Sequence, residues 1–246
     1  MARPQGWRPR LVALDIDGTI CAEDGDPLLA HTMISPGVRT AVAAVAHSGT
    51  HVVLCTGRPV RSVRPFLSEL GLSSGVAICS NGAIRLDAAT GEILDRIVFD
   101  PAEPVALFRR LLPGAVFTAE DDGVGDRTTR LAVHWPGRTG ADLAAALSVA
   151  SMPWIECSIS LDTPWLVATA AGVTKASALE KLRVELGVAQ GETLAVGDGV
   201  NDLHMLAWAA HGVAMGQAPD VVRAAADEVC LPVVEDGLAT LLARWF

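Results

Sequence analysis

Short apolar runs that end in Asp, Thr-Gly or Asn-Gly alternate along this chain with longer, alanine-rich stretches whose apolar positions recur at helical spacing. Such alternation predicts strand, loop, helix units and a parallel sheet. Strands are expected at 11–16, 51–55, 76–79, 193–196 and 212–215, and helices at 36–48, 59–70, 175–186, 200–210 and 219–226. Pro36 and Pro59 fall near first-turn positions, and Gly49, Gly71 and Gly187 at helix ends, where those residues are favoured. Between about residues 83 and 170 the pattern changes. Strand-like stretches GEILDRIVFD, RLAVHWP, WIECSISLD and WLVATA there surround two helical ones, PVALFRRLL and GADLAAALSVA. The expected fold class is α/β: a three-layer, Rossmann-like parallel-sheet core of residues 1–83 and 171–246, interrupted by an α+β insert at 84–170.

Composition narrows the class of protein. Half of the 246 residues are hydrophobic, enough for a sizeable core in one or two domains. Charged residues, Gly or Pro interrupt every apolar run short of the roughly 18–20 residues that cross a bilayer, so no membrane association is expected. The basic start MARPQGWRPR resembles the head of an export signal, yet the following LVALDIDG meets a carboxylate after four residues, which argues against export. Five cysteines, Cys21, Cys55, Cys79, Cys157 and Cys230, are odd in number and widely spaced, as in a cytoplasmic protein with small buried thiols. The net charge of −9, with no basic run, argues against a nucleic-acid or anionic-membrane surface as the natural partner. A small anionic substrate would need a local cation cluster or a metal.

Four places carry candidate chemistry. In LVALDIDGT, an apolar strand ends in Asp15, Ile16, Asp17, Gly18 and Thr19, which puts two carboxylates at the C-terminal edge of a parallel sheet, where open α/β sheets bind ligands. Paired acids there suit a divalent cation, or an attacking group beside a proton carrier; a solvated Asp-Gly turn is the plain alternative. In VVLCTGRP, the hydroxyl of Thr56, the bare backbone of Gly57 and a following helix N-terminus make an anion site, although an ordinary N-cap threonine explains the same residues. Lys175 lies in the first turn of a helix, where a cation opposes the dipole and calls for a compensating anion; a snorkelling surface lysine is the alternative. In LAVGDGVNDLHML, Asp198 at a strand end and Asp202 in the first helical turn can face one point, as oxygen ligands of magnesium would, while Asp202 also suits a helix start. His204 and His211, seven apart without a third ligand, are expected to be plain surface or core residues, and Trp135, Trp154 and Trp165 of the insert to serve packing.

DIDGT, TGR, Lys175 and GDGVND, in this order, resemble the haloacid dehalogenase superfamily of phosphatases and phosphotransferases. CSNGAI at 79–84, GVTKASAL at 172–179, AMGQAPDVVRAAAD at 214–227 and EDGLATLL at 235–242 resemble its Cof-type, subfamily IIB branch; Gln217 departs from the Asn common there. The resemblance implies a phosphatase with Asp15 as nucleophile and Asp17 as general acid and base. Magnesium would be held by Asp15, the backbone carbonyl of Asp17 and Asp198, with Asp202 close behind or directly coordinated, and the phosphoryl oxygens by Thr56, Gly57, Lys175 and Asn201. Arg58, Asn81 and Gly82 are expected beside the substrate, and the insert is expected to be a mobile cap that selects it. The implied partner is a small phosphorylated metabolite, whether sugar phosphate, nucleotide or cofactor phosphate, bound by a monomer or homodimer. A sugar phosphomutase and a non-catalytic sensor of phosphorylated metabolites are the rival readings.

Overall fold

In the computed structural model, which describes residues 6–22, 34–120, 125–161 and 163–246, the chain forms a parallel sheet with helices on both faces. Residues 1–5 of the basic start and Asp162 at the end of WIECSISLD lie outside the described residues. The sheet begins with β1 (Leu11–Leu14), followed by α1 (Pro36–His47), β2 (His51–Leu54), α2 (Val60–Glu69) and β3 (Val76–Cys79). A hairpin of β4 (Ile84–Asp87) and β5 (Ile93–Arg96) comes next, then α3 (Ala102–Leu111), β6 (Val116–Ala119), β7 (Leu131–His134), α4 (Gly140–Leu147), β8 (Ile155–Ile159) and β9 (Trp165–Ala170). The chain closes with α5 (Lys175–Glu185), β10 (Thr193–Gly197), α6 (Leu203–Trp208), β11 (His211–Ala214), α7 (Asp220–Ala225), β12 (Glu228–Val229) and α8 (Gly237–Leu242).

The strand order is β12-β11-β10-β1-β2, all parallel. A parallel bridge between Cys55 and Ile78 brings β3 beside β2, and the antiparallel β4 and β5 continue from β3. Every residue of β1 is fully buried, as expected of a strand covered on both faces. Its side chains alternate between two cores. Val12 and Leu14 pack with Val38, Val42 and Val45 of α1, Val63 and Phe66 of α2, and Leu238 and Leu241 of α8. Leu11 and Ala13 face Leu179 and Leu182 of α5, Met205 of α6 and Val222 of α7. This alternation makes the three layers that the pattern of apolar runs anticipates.

The segment expected to form the insert divides by its packing. Ile84 and Leu86 of β4 are buried in the same cluster as Val12 and Leu14. From Phe99 onward a separate cluster gathers Phe108, Leu131, Val133, Trp135, Leu143, Leu147 and Leu166 between α3, α4 and the antiparallel sheet β6-β7-β9-β8. Trp135 packs in this cluster and donates its indole N–H to the Pro113 carbonyl, whereas Trp165 stacks on His134 at 4.5 Å and Trp154 is partly exposed. His211 is buried against Glu228, with 2.9 Å between Nε2 and the carboxylate, and His204 is exposed. Where one helix is expected over 200–210, a 3-10 turn at Val200–Asp202 precedes the short α6. The five cysteines are free thiols, and among the described residues no helix is long and apolar enough to cross a membrane.

Helix α5 is set by its N-terminus. The Thr174 side chain accepts from the Ser177 amide at 3.1 Å and the Ser177 hydroxyl accepts from the Thr174 amide at 3.0 Å, a reciprocal cap that fixes the first turn. Gly82, at φ 105°, packs so closely here that a Cβ would stand 2.2 Å from the Thr174 carbonyl oxygen. Gly82→Ala therefore combines a strained backbone with a clash against main chain next to Lys175, and is expected to cost at least about 2 kcal/mol in urea denaturation. A loss under about 0.5 kcal/mol would show that this close approach is not required.

Candidate active site

The parallel register brings four strand ends to one edge. The Asp15 amide donates to the Val196 carbonyl at 3.0 Å, Cys55 to Leu14 at 2.8 Å and Thr56 to Ile78 at 2.9 Å, so residues 15, 55–56, 79–81 and 197–198 emerge side by side. Lys175, from the first turn of α5, enters beneath them. Its ammonium lies 2.9 Å from Asp15 Oδ1, in ion-pair contact without hydrogen-bond alignment, and donates to Asp202 Oδ1 at 2.6 Å. Lys175 and Asp202 have fully buried side chains and Asp15 is nearly so. The surface-lysine alternative is thereby removed for Lys175.

Burial penalises the ammonium, but the carboxylates of Asp15 and Asp202 outweigh it and carry the Lys175 pKa above its ordinary value. Burial, reinforced by the charge of Asp202, pushes the Asp15 carboxyl well above the usual carboxylate range, with Lys175 opposing. One cation is thus set against two buried carboxylates, and Asp198 adds a third acid. Carboxylate oxygens of Asp15, Asp198 and Asp202 all lie within 4.8 Å of one another. That donor set, made of hard oxygen ligands short of one positive charge, fits a small divalent cation.

Each acid also has a local task. The second oxygen of Asp202 accepts from the amides of Asp198 (3.0 Å) and Gly199 (2.9 Å), so it fixes the 197–199 loop as well as the lysine. Asp198 packs on the bare Cα of Gly18, where a Cβ would stand 1.8 Å from its Oδ2; this explains a glycine with φ 69° directly after Asp17. Asp17 stands outside this oxygen cluster at the partly exposed rim, though its charge still acts on Asp15. There Arg58 holds it with two hydrogen bonds, Nε to Oδ2 at 2.8 Å and Nη2 to Oδ1 at 2.5 Å.

The remaining predicted residues line the same edge. Thr56 does not cap α2, which starts at Val60 behind Pro59; its hydroxyl accepts from the Arg58 amide at 3.1 Å, folding the Thr56–Arg58 turn. Asn81 Oδ1 accepts from Asn201 Nδ2 at 3.1 Å, and the two amides flank Gly57, whose added Cβ would lie 3.0 Å from Asn81 Oδ1. Thr56, Gly57, Asn81 and Asn201 therefore converge. Arg58, placed by sequence near a substrate, is engaged by Asp17, and Gly82 serves the packing against Thr174. Sequence reasoning missed two features. Arg61 of α2 and Arg130 both pair with the buried Glu120 beyond β6, joining the core to the segment after Phe99. Gln217 reaches from the loop after β11 to Gly18 and Asp198. Neither leaves a signal in spacing, because both depend on side-chain contacts between distant loops.

Comparisons with known proteins bear on the family and the fold. Residues 12–111 and 155–242 match the family model of the haloacid dehalogenase-like hydrolases. The 5-amino-6-(5-phospho-D-ribitylamino)uracil phosphatase YcsE of Bacillus subtilis is 27% identical over 96% of this chain and 95% of its own length. The pyridoxal phosphate phosphatase YbhA of Escherichia coli is 25% identical over 95% and 97%. Among solved structures, the subclass IIB sugar phosphatase BT4131 superposes with a TM-score of 0.77 at 23% identity, over 96% of this chain and 98% of that one, which is a likeness of fold.

The burial of Asp15 has a measurable consequence. With its pKa raised, the folded state keeps this proton to higher pH than the unfolded chain does. The group is therefore least costly below the ordinary carboxylate pKa of about 3.9, and stability is lost as pH climbs from there through the raised value. In metal-free buffer, Asp15→Asn should accordingly gain stability relative to wild type as pH rises from about 4 to 7, by more than about 1 kcal/mol in urea denaturation. A difference independent of pH would refute the uncompensated charge.

Proposed function

The chain belongs to the haloacid dehalogenase-like hydrolases, and on that premise we propose that it is a magnesium-dependent phosphatase that passes the phosphoryl group of a small metabolite to Asp15 and then to water. The observation that carries this reading is the buried Asp15 carboxylate, set on Lys175 beside Asp198, with Asp17 two residues on at the rim. Asp15, Asp198 and the backbone carbonyl of Asp17 would hold the magnesium ion, with Asp202 close behind them. When bound, the ion supplies the charge that neutralises Asp15 and the incoming phosphoryl oxygens.

The residues of the chain do the rest. An oxygen of Asp15 attacks phosphorus, the bond from phosphorus to the leaving oxygen breaks, and Asp17, as general acid, gives a proton to that oxygen. Water then attacks the aspartyl-phosphate and yields a proton to Asp17, and the phosphorus–Asp15 bond breaks to release inorganic phosphate. Lys175, Thr56, the Gly57 amide and Asn201 hold the phosphoryl oxygens, so that the transfer rests on position and charge. Arg58 keeps the Asp17 carboxyl aimed at the rim, where a leaving group would exit.

Within the segment expected as a cap, we assign that role to the part from Phe99 to Ala170, which has its own core and leaves the hairpin of β4 and β5 to the catalytic body. The approach of β8 to the turn that carries Asn201 supports a lid above the phosphate site. The two relatives act on chemically different phosphates by their names, so the metabolite is left as a class. Five free thiols support a reducing compartment such as the cytoplasm.

Asp15→Asn is expected to lower magnesium-dependent hydrolysis of p-nitrophenyl phosphate by more than about a thousandfold. Asp17→Asn should slow hydrolysis of an alkyl phosphate at least about tenfold more than that of the aryl phosphate, whose leaving group needs less proton donation. Steady-state assays with and without a chelator check both. Wild-type turnover by Asp15→Asn would end this reading, and equal losses on the two substrates would remove Asp17 from proton transfer.

A further inference from the structure

Gln217 lies in the loop that follows β11, an exposed position with an amide that is nevertheless fully engaged. The loop is anchored on its own account. The Met215 amide donates to the Gly197 carbonyl at 3.0 Å, and Arg223 of α7 donates to the Gly216 carbonyl at 3.0 Å. From this fixed base the Gln217 side chain meets three separate segments. Its Oε1 accepts from the Val233 backbone N–H at 3.0 Å. Its Nε2 donates to the Gly18 carbonyl at 2.5 Å and to Asp198 Oδ2 at 3.2 Å.

The orientation of the amide is determined by this network. A backbone N–H can only donate, so the atom facing Val233 must be the oxygen, and the NH2 group must face the loops. Its two hydrogens then match the two acceptors. One acceptor belongs to the residue directly after Asp17, the other to the acid that meets Asp15 in the oxygen cluster. Gly18 has no side chain to keep these loops apart, and Asp198 lies directly on it. A neutral donor between them draws the two loops together without adding charge to a site already rich in carboxylates.

We infer that Gln217 is a positioning residue for the metal centre: it holds the Asp198 carboxylate and the Gly18 carbonyl in register, so that the 15–19 and 197–199 loops present their oxygens to one cation. This rests on the magnesium reading of the same site. Gln217 touches neither Asp15 nor Lys175 and takes no part in bond making; it acts through the orientation of Asp198.

The test is direct binding of Mn2+ to the metal-stripped full chain, followed by the electron paramagnetic resonance signal of the free ion, with Mg2+ as competitor. The variant is Gln217→Met, which keeps length and bulk but lacks donor and acceptor. Its dissociation constant for Mn2+ should rise about tenfold, as loss of an outer partner of a ligating carboxylate does. Its metal-free melting temperature should stay within about 2 °C of wild type, because the position is exposed. Unchanged affinity would overturn the assignment while leaving the metal reading intact. A loss of affinity matched by a large drop in metal-free melting temperature would make Gln217 a general brace and overturn it as well. Failure of the wild type itself to bind either ion would remove the metal reading and this inference together.

Discussion

The ammonium of Lys175, buried between Asp15 at 2.9 Å and Asp202 at 2.6 Å, is the contact on which the site is built. Removing three charged groups from water is expensive, and one cation cannot repay two carboxylates. The structure reduces the imbalance by giving Asp202 two backbone amides and leaves it largest at Asp15, whose buried Oδ1 has no hydrogen-bond partner. A fold that retains so costly a cluster does so for chemistry that uses the unsatisfied charge. On the proposed reading a divalent cation and a phosphoryl group would use it in complementary ways: the first would supply positive charge to the acids, and the second oxygens to the lysine and to the cation.

Everything around the lysine follows from the need to bring it there. Two helical layers bury both faces of β1, which leaves its C-terminal end as the place where polar groups can emerge. The reciprocal cap of Thr174 and Ser177 starts α5 at the residue that must point inward, and Gly82 lets the turn after β3 close on that start. The same short reach recurs at Gly18 under Asp198 and at Gly197, where a Cβ would stand 2.4 Å from the Asp202 carboxylate. Absence of a side chain at these points is what allows the loops to crowd their acids into one centre.

Much of this was legible in the sequence. Strands that end in Asp15, Thr56 and Asp198 were readable because a buried parallel strand is a continuous apolar run, and its end is marked by the first polar residue. Lys175 stood out because a cation in the first turn of a helix lacks a local reason. Less legible was the hairpin of β4 and β5, whose strand-like pattern is the same whether it packs on the core or in the insert; only the burial of Ile84 and Leu86 in one cluster with Val12 and Leu14 tells them apart. The turn at Val200–Asp202 was hidden inside a helical pattern, because Asp202 bonds back to the amides of Asp198 and Gly199 and tightens the chain there. The pairing of Arg58 with Asp17 and the reach of Gln217 depend on side chains meeting across 41 and up to 199 residues, which no local period encodes.

The central claim, that a single buried lysine restrains the acids of the site, is tested most directly by the stability of Lys175→Met in metal-free buffer across pH. The variant leaves Asp15 and Asp202 buried without their cation. At pH 7 it should unfold in urea with about 3–5 kcal/mol less stability than wild type. The deficit should shrink as pH falls from neutrality, because Asp15, whose pKa burial already raises, takes up a proton and needs no counter-charge. A Lys175→Met variant as stable as wild type at pH 7 would contradict the account.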